Sequence, residues 1–496
     1  MHVSEVAEPA TAARSGEPPG AARRLLDSQA LPGLLVALLT AAGFAIRLVV
    51  AHQPLFADEL STYWIITSHG LGGVLSTVHS NAEITPPLYF VAAWLTSQIS
   101  HAPELVRAPS LIAGTATIPL VYLLGVRTVG RAAALVAAAL TTAAPFMIYY
   151  STEARGYAAM MALTALSTLA MLIAVDSARA RWWVVYGVAT AGAAYSHYTC
   201  VFALGVQLLW LLWAHPQARR PALLANAGAV VLYLPWTTGL VKDFTSPTSK
   251  ILSALSPFDA HAIRTSLEHW SIGFPYSTAG GLRQLPGTFA LVLLAVALVL
   301  GAVGVWQRLR GRRLGEALRG IDRRLLLVLL LLLSVPVGEA AVSAVSTHLF
   351  SVRNLAASWP ALALALGALV TAPRQRLAWA ASLLAVAAVA IGGVKMLQSA
   401  YSRPDYRAAA DFVKSHAGPR DVIIDDTAVL SPGPLSGLDA LWPRRPQRVI
   451  RAGAPQETDH PFNVYDRVTT AQQAIDQAVA AAHGRRVYYI ELFPKL

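Results

Sequence analysis

The sequence predicts a mainly α protein: a polytopic transmembrane helical bundle of about 11 spans, followed by a small α/β domain at the C-terminus. Three observations predict it. Of the 496 residues, 55% are apolar and only 13% are charged, too few charges to cover a water-soluble surface of that size. Apolar runs of about 20 residues, the length that crosses a hydrocarbon core of roughly 30 Å, recur along the chain. After residue 397 the composition changes, with charges, prolines and turn residues rising.

Residues 1–30 are rich in Ala, Pro, Gly and Arg and read as a disordered inner tail. The apolar runs are 31–51, 108–126, 132–150, 157–175, 182–198, 199–214, 221–241, 286–307, 325–346, 355–372 and 377–397. The first is too long for a signal-peptide core and is expected to stay as an uncleaved helix. No polar loop separates 182–198 from 199–214, so the break there is the least marked.

Arginine sets the direction. Arg23 and Arg24, Arg127 and Arg131, Arg179 and Arg181, Arg219 and Arg220, the block Arg308 to Arg324, and Arg374 and Arg376 all fall on one side if there are eleven crossings. Cytoplasmic loops favour Lys and Arg, which places the N-terminus in the cytoplasm and the C-terminal domain outside a cell inner (plasma) membrane. The net charge of +12 then belongs largely to loops that meet anionic membrane lipids, and argues against a nucleic-acid partner. A chain poor in Lys and rich in Arg and Ala fits a bacterial source. Cys200 is the only cysteine, which excludes an intrachain disulfide and a cysteine-based metal site.

Three segments face outward. In 52–107, the apolar piece Leu88 to Leu95 is too short to cross and is expected in the interface or as a re-entrant element. The segment 242–285 is polar and aromatic. In the tail, 398–496, Tyr406 to Ser415 reads as an amphipathic helix, 421–425 and 486–490 as buried strands, and 469–483 as a helix.

The residues that bear chemistry gather at the outward junctions. Asp58 and Glu59 are adjacent carboxylates just beyond the first run, either solvated loop charges or a general base with a partner that orients substrate or metal. On a helix they point about 100° apart. His79 and Glu83 precede Pro86-Pro87 and are within reach of the same outer pocket, although a Pro-Pro turn into an interfacial helix explains the segment equally. At the next junction, Tyr149 to Tyr157, Arg155 is suited to hold a phosphate and Glu153 to fix Arg155, with Tyr157 beside them. His197 and Tyr198 offer two hydrogen-bonding tips at one level, or simply a satisfied interior histidine and its neighbour. His348 and Arg353 occupy the last such junction, where Arg353 either grips phosphate or snorkels to anchor a helix end. Glu339, inside the ninth run, needs a partner or a proton and has no assigned role.

At these residues the chain resembles the GT-C integral-membrane glycosyltransferases, in particular the family 39-like group of protein O-mannosyltransferases and aminoarabinose transferases. The matching features are Asp58-Glu59, Pro86-Pro87-Leu88-Tyr89, Glu153-Ala154-Arg155-Gly156-Tyr157, Ser196-His197-Tyr198, Arg353 ahead of Pro360, and the opening of the tail at Asp405 to Phe412. The likeness spans most of 31–425. It implies a transmembrane catalytic domain over 31–397, including outer loops 52–107 and 242–285, and an extracytoplasmic domain over 398–496. It implies Asp58 as catalytic base, Glu59 as a residue placing acceptor or pocket, and Arg353 on the lipid phosphate. Relatives often carry His immediately before the Pro pair, where this chain has Thr85. A divalent metal ion therefore stays open, with Glu83 and His79 as its candidate ligands, and no cofactor is certain.

An outward site needs a donor already carried across the membrane, and no Gly-rich phosphate loop faces inward. The expected activity is inverting transfer of a sugar, mannose or a pentose, from a polyprenyl-phosphate donor to a hydroxyl of a glycan, glycolipid or protein. In that reading Arg353, Arg155, His348, His197 and Tyr198 face the donor, and His79, Glu83, Glu153 and Tyr157 the acceptor or pocket. Two other readings stay open: a flippase for a lipid-linked sugar, disfavoured by the lack of repeats, and a membrane-anchored binding module working through 398–496.

Overall fold

Each of the eleven apolar runs is helical in the computed structural model, which describes residues 30–56, 58–80, 83–246, 258–275, 281–310, 320–426, 437–442, 444–451, 466–467 and 471–491. The first helix is α1 (Ala30–Ala51), and the segment after it carries α2 (Asp58–Ser68), α3 (Leu71–Val78) and α4 (Leu88–Ser97). The bundle continues with α5 (Ala108–Thr128), α6 (Arg131–Ala143), α7 (Pro145–Tyr150), α8 (Tyr157–Ser177), α9 (Ala180–Ser196) and α10 (Cys200–Ala214). It closes with α11 (Arg219–Tyr233), α12 (Thr237–Thr245), α13 (Ala260–Ser271), α14 (Thr288–Leu309), α15 (Arg323–Val345), α16 (Trp359–Val370) and α17 (Gln375–Lys395). Among the described residues, seven helical segments are long and apolar enough to cross a membrane alone. The chain is a multi-pass membrane protein. The expected tail lies, but for Ala30, outside the described residues, as do Arg312, Arg313 and Arg319.

The remaining runs are shortened by identifiable breaks. The run 132–150 is cut at Ala144, whose extended backbone (φ −65°, ψ 129°) is what a residue before proline prefers. Pro145 has no N–H, so the carbonyl of Thr141 loses its helical donor. Arg47 on α1 replaces it, donating to the Thr141 oxygen at 2.9 Å and the Thr142 oxygen at 3.2 Å. This explains a fully buried arginine inside an apolar helix. At the least marked break, His197 is fully extended (φ −166°, ψ 140°) and ends α9. Gly156 packs against the carbonyl of Ser196 so closely that a Cβ would overlap it, which fixes the end of α9 on the start of α8.

The two ends of the bundle differ. At one, Arg324 pairs with Asp176 and donates to the Arg127 carbonyl at 3.1 Å, and Arg323 donates to the Ala214 carbonyl at 3.2 Å. The other end collects Asp58, Arg155, His197 and Arg353. There Arg107, wholly buried, donates to the carbonyls of Ala51 and Pro54 at 2.8 Å and to that of Gln53, closing the end of α1.

The C-terminal part forms a parallel sheet of β1 (Val422–Asp426), β2 (Arg448–Arg451), β3 (Asp466–Arg467) and β4 (Val487–Glu491), in the order β3-β2-β1-β4. Side chains alternate across it. Val422 and Ile424 face Ala474 and Ala478 of α20 (Ala471–Ala482), which follows α18 (Tyr406–His416) and α19 (Gly437–Leu441) in the chain. Ile423 and Val449 face Ala410 and Val413 of α18. Burial on both faces explains the apolar run Val422-Ile423-Ile424 of β1, whereas β4, expected to be buried, leaves Val487 and Tyr489 exposed on one face. The domain touches the segment that follows α1 through Tyr406, stacked on Phe56 at 5.8 Å, and through α19 against α2.

Candidate active site

A cavity of about 450 Å³ opens at the end of the bundle away from the Arg127–Arg324 cluster. Its walls come from α2, the segment before α4, the α7–α8 and α9–α10 junctions, α12, α15 and the loop after α15. Eight of the residues expected at the site line it: Asp58, Glu83, Arg155, Tyr157, His197, Tyr198, His348 and Arg353.

The first turn of α2 separates its two carboxylates. Glu59 turns inward and is 1% exposed. It receives Arg107 through both oxygens, at 2.7 and 2.6 Å, and the amides of Ala154 at 2.8 Å and Phe56 at 3.1 Å. Arg403, on the strand of chain leading to the C-terminal domain, adds its Nε at 3.7 Å. Burial pushes the Glu59 carboxyl up, but the charges of Arg107 and Arg403 outweigh it and hold the group below the usual carboxylate range. Glu59 thus faces the protein interior and not the cavity. Asp58 points the other way and meets Arg353 at 2.8 Å.

Two ion pairs in the cavity differ in exposure. Arg353 and Asp58 are 39% and 24% exposed, so an incoming anion can reach them. Arg155 and Glu83 are 8% and 5% exposed and joined by two parallel bonds of 2.6 and 2.9 Å. Thr85 and the Ile84 amide each add a bond of 3.0 Å to Glu83. The partner of Arg155 is therefore Glu83, and not Glu153 as its sequence neighbourhood suggests. Glu153 lies behind the wall, and its Oε2 has no partner among the described residues. Burial, and then the charges of Glu59 and Asp58, push its carboxyl up to about 8.

The aromatic wall is continuous. Tyr157 lies 5.0 Å from the ring of His197, whose Nδ1 is 3.1 Å from Thr199 Oγ1. Tyr198 donates to Asp243, and Trp236 Nε1 donates to Tyr198 at 3.2 Å. His79 is not on the cavity wall but stands edge-on to Trp236 at 5.4 Å. The two candidate metal ligands are thus turned to different partners, Glu83 to Arg155 and His79 to Trp236. Among the described residues no group of three His, Cys, Asp or Glu side chains is placed to hold a metal ion.

Sequence reasoning missed Asp243, Arg107 and Arg403. Asp243 ends an apolar run and is the first acid after Asp176, a signal that was available. Arg107 sits among ordinary loop charges until the fold carries it to Glu59.

Residues 85–238 match the family model described as dolichyl-phosphate-mannose-protein mannosyltransferase. That window contains Arg155, Tyr157, His197 and Tyr198 and excludes Asp58 and Arg353. Among solved structures, the chain is similar to ArnT from Cupriavidus metallidurans in the apo state, with 13% identity, 95% of this chain and 90% of that one covered, and a TM-score of 0.50. It is also similar to the oligosaccharyltransferase of Archaeoglobus fulgidus tethered to an acceptor peptide with an NVT sequon, with 12% identity, 85% and 64% covered, and a TM-score of 0.52. The chain has the GT-C fold. The resemblance to GT-C membrane glycosyltransferases read from the motifs holds in the matched sequence window and in the architecture. The chain spans about two thirds of the length of the archaeal GT-C enzyme. No curated protein matches the chain by sequence.

Proposed function

We propose that this GT-C chain is an inverting glycosyltransferase that takes a sugar from a polyprenyl-phosphate donor to an acceptor hydroxyl. The observation that carries the reading is the contact of Asp58 with Arg353 at 2.8 Å, on the wall of a cavity that also has apolar sides at Val201, Phe202 and Val342. A half-exposed ion pair is cheap to open, whereas the buried Arg155–Glu83 pair is not. A lipid phosphate would therefore take Arg353, and in doing so release Asp58. The freed carboxylate accepts the proton of the acceptor hydroxyl as its oxygen bonds to the anomeric carbon. The bond from that carbon to the phosphate oxygen breaks, and its electron pair leaves on the phosphate beside Arg353. Arg155, with both terminal nitrogens engaged, keeps the wall in place and adds positive charge. Glu83, bound by Arg155, and His79, against Trp236, are engaged by different partners and form no shared metal site between them.

The arginine-rich end lies opposite the cavity, which supports a cytoplasmic N-terminus, an extracytoplasmic 398–496 domain and a catalytic region over 31–397. The donor sugar, mannose or a pentose, and the acceptor, a glycan, glycolipid or protein, belong to the same proposal. The likeness to a family described by dolichyl-phosphate-mannose and to an enzyme with an acceptor peptide supports it. The test is incubation of purified protein with radiolabelled polyprenyl-phosphate sugars and candidate acceptors. Asp58→Asn should lower transfer about 10²–10⁴-fold without loss of insertion. Full activity of that variant would remove Asp58 as the base, and movement of donor across vesicles with no release of polyprenyl phosphate would favour the flippase.

A further inference from the structure

Four carboxylates line the cavity, and only two of them have a cation. Asp58 and Glu83 are paired with Arg353 and Arg155. Asp243 and Glu339 are in no ion pair among the described residues. Asp243 is 6% exposed and Glu339 is 1% exposed, and Glu339 Oε2 has no hydrogen-bond partner among the described residues. Asp243 has a donor in Tyr198 and Glu339 a side-chain hydrogen bond with Asn354, but neither has a cation and Glu339 Oε2 has no donor among the described residues, so a ligand that brings hydroxyl donors offsets the cost of burying them.

The surroundings of Asp243 define which donors. Trp236 Nε1 donates to Tyr198, and Tyr198 donates to Asp243 Oδ2. Trp236 occupies one lone pair of the Tyr198 oxygen while Tyr198 donates its own proton to Asp243, which holds the carboxylate in a fixed orientation. His79 packs against Trp236 at 5.4 Å, and Phe244 lies 5.8 Å from the Tyr198 ring, giving the carboxylate an apolar flank. A planar carboxylate with spare lone pairs beside an aromatic face matches a sugar ring, which presents adjacent hydroxyls at its edge and C–H groups on its face. The burial of both acids favours the sugar carried in by the lipid over an acceptor arriving from water.

We infer that Asp243, oriented by Tyr198 and Trp236, is the specificity-determining residue that reads the hydroxyls of the transferred sugar. This rests on the transferase reading above. A site that hydrogen-bonds a substrate hydroxyl rejects the analogue lacking it far more strongly than an apolar pocket discriminates by size, by about 10⁴-fold or more where the groups are fully buried.

The experiment compares wild type, Asp243→Asn and Tyr198→Phe with polyprenyl-phosphate mannose and pentose donors, the single-deoxy analogues of each, and bare polyprenyl phosphate. Asn keeps the shape and can still accept from Tyr198. Wild type should reject one or two of the deoxy donors strongly. Asp243→Asn should lose at least 10²-fold in kcat/KM for the parent donor and much less for those same deoxy donors, with the acceptor KM unchanged. Tyr198→Phe should move in the same direction by a smaller factor. In direct binding, Asp243→Asn should lose the affinity that the sugar adds over bare polyprenyl phosphate, while the bare lipid binds as before. Equal discrimination in wild type and Asp243→Asn, or a change confined to the acceptor KM, would overturn the inference while leaving the transferase intact. If wild type transfers no sugar at all, the transferase reading fails, and the binding comparison still decides whether Asp243 holds a sugar.

Discussion

Two neighbouring carboxylates show how one residue's environment sets its work. Asp58 and Glu59 differ by one position on α2, yet one meets a half-exposed arginine and the other a fully buried one. Removing Arg107 would strand the Glu59 charge in the interior, at a cost of about 3–5 kcal/mol. Arg107→Met should therefore lower the thermal midpoint and the yield of inserted protein, read by fluorescence-detected gel filtration. Arg353→Met should leave both nearly unchanged and raise the donor KM, because its partner is in reach of water. Glu153 supplies a pH signature. Its carboxyl is near 4.5 when unfolded and about 8 when folded, so the folded chain holds a proton that the unfolded chain releases. Stability from this group is present below about 4.5 and is lost as pH rises toward 8. Glu153→Gln should flatten that dependence, its thermal midpoint gaining on wild type as the pH is raised across this window.

At the scale of elements, the site is made where helices stop. Pro145 interrupts one apolar run and His197 breaks the helix of another, and the second break puts His197 and Tyr198 on the cavity wall. The α8–α9 contact depends on Gly156, since a Cβ there would press on the Ser196 carbonyl next to His197 and Tyr198. Gly156→Ala should displace those two residues, lowering transfer more than it lowers thermal stability. Gly156→Leu should prevent folding. Measured together, midpoint and turnover separate the two effects.

Across the whole molecule, the C-terminal domain is joined to the cavity through the segment that follows α1. Arg403 reaches Glu59, and Tyr406 stacks on Phe56 two residues before Asp58. Deleting 398–496 removes both contacts, so turnover should fall with the bundle still inserted. Adding the domain back in trans should not restore it, because the link is covalent and close. The sidedness proposed for the membrane has its own check. Lys414 is exposed on α18 and Cys200 is buried, so Lys414→Cys should react with a membrane-impermeant maleimide added outside intact cells.

The apolar runs and the shift in composition after 397 were enough for the helices and the α/β tail, though not for every helix end, because burial in lipid, or on both faces of a sheet as in β1, leaves a local pattern. Strand β2 at 448–451 and the short helix at 437–441 leave no such pattern and were not foreseen. Eight of the cavity's residues were legible too, since each stands at or beyond the end of an apolar run. Pairing was not. That Arg155 takes Glu83 over Glu153, that Glu59 turns to Arg107, that His79 packs against Trp236, and that Asp243 joins the wall are all settled by which helix ends meet. Ion pairs and hydrogen bonds act over a few ångströms between residues tens to hundreds of positions apart, and only packing brings them within that range.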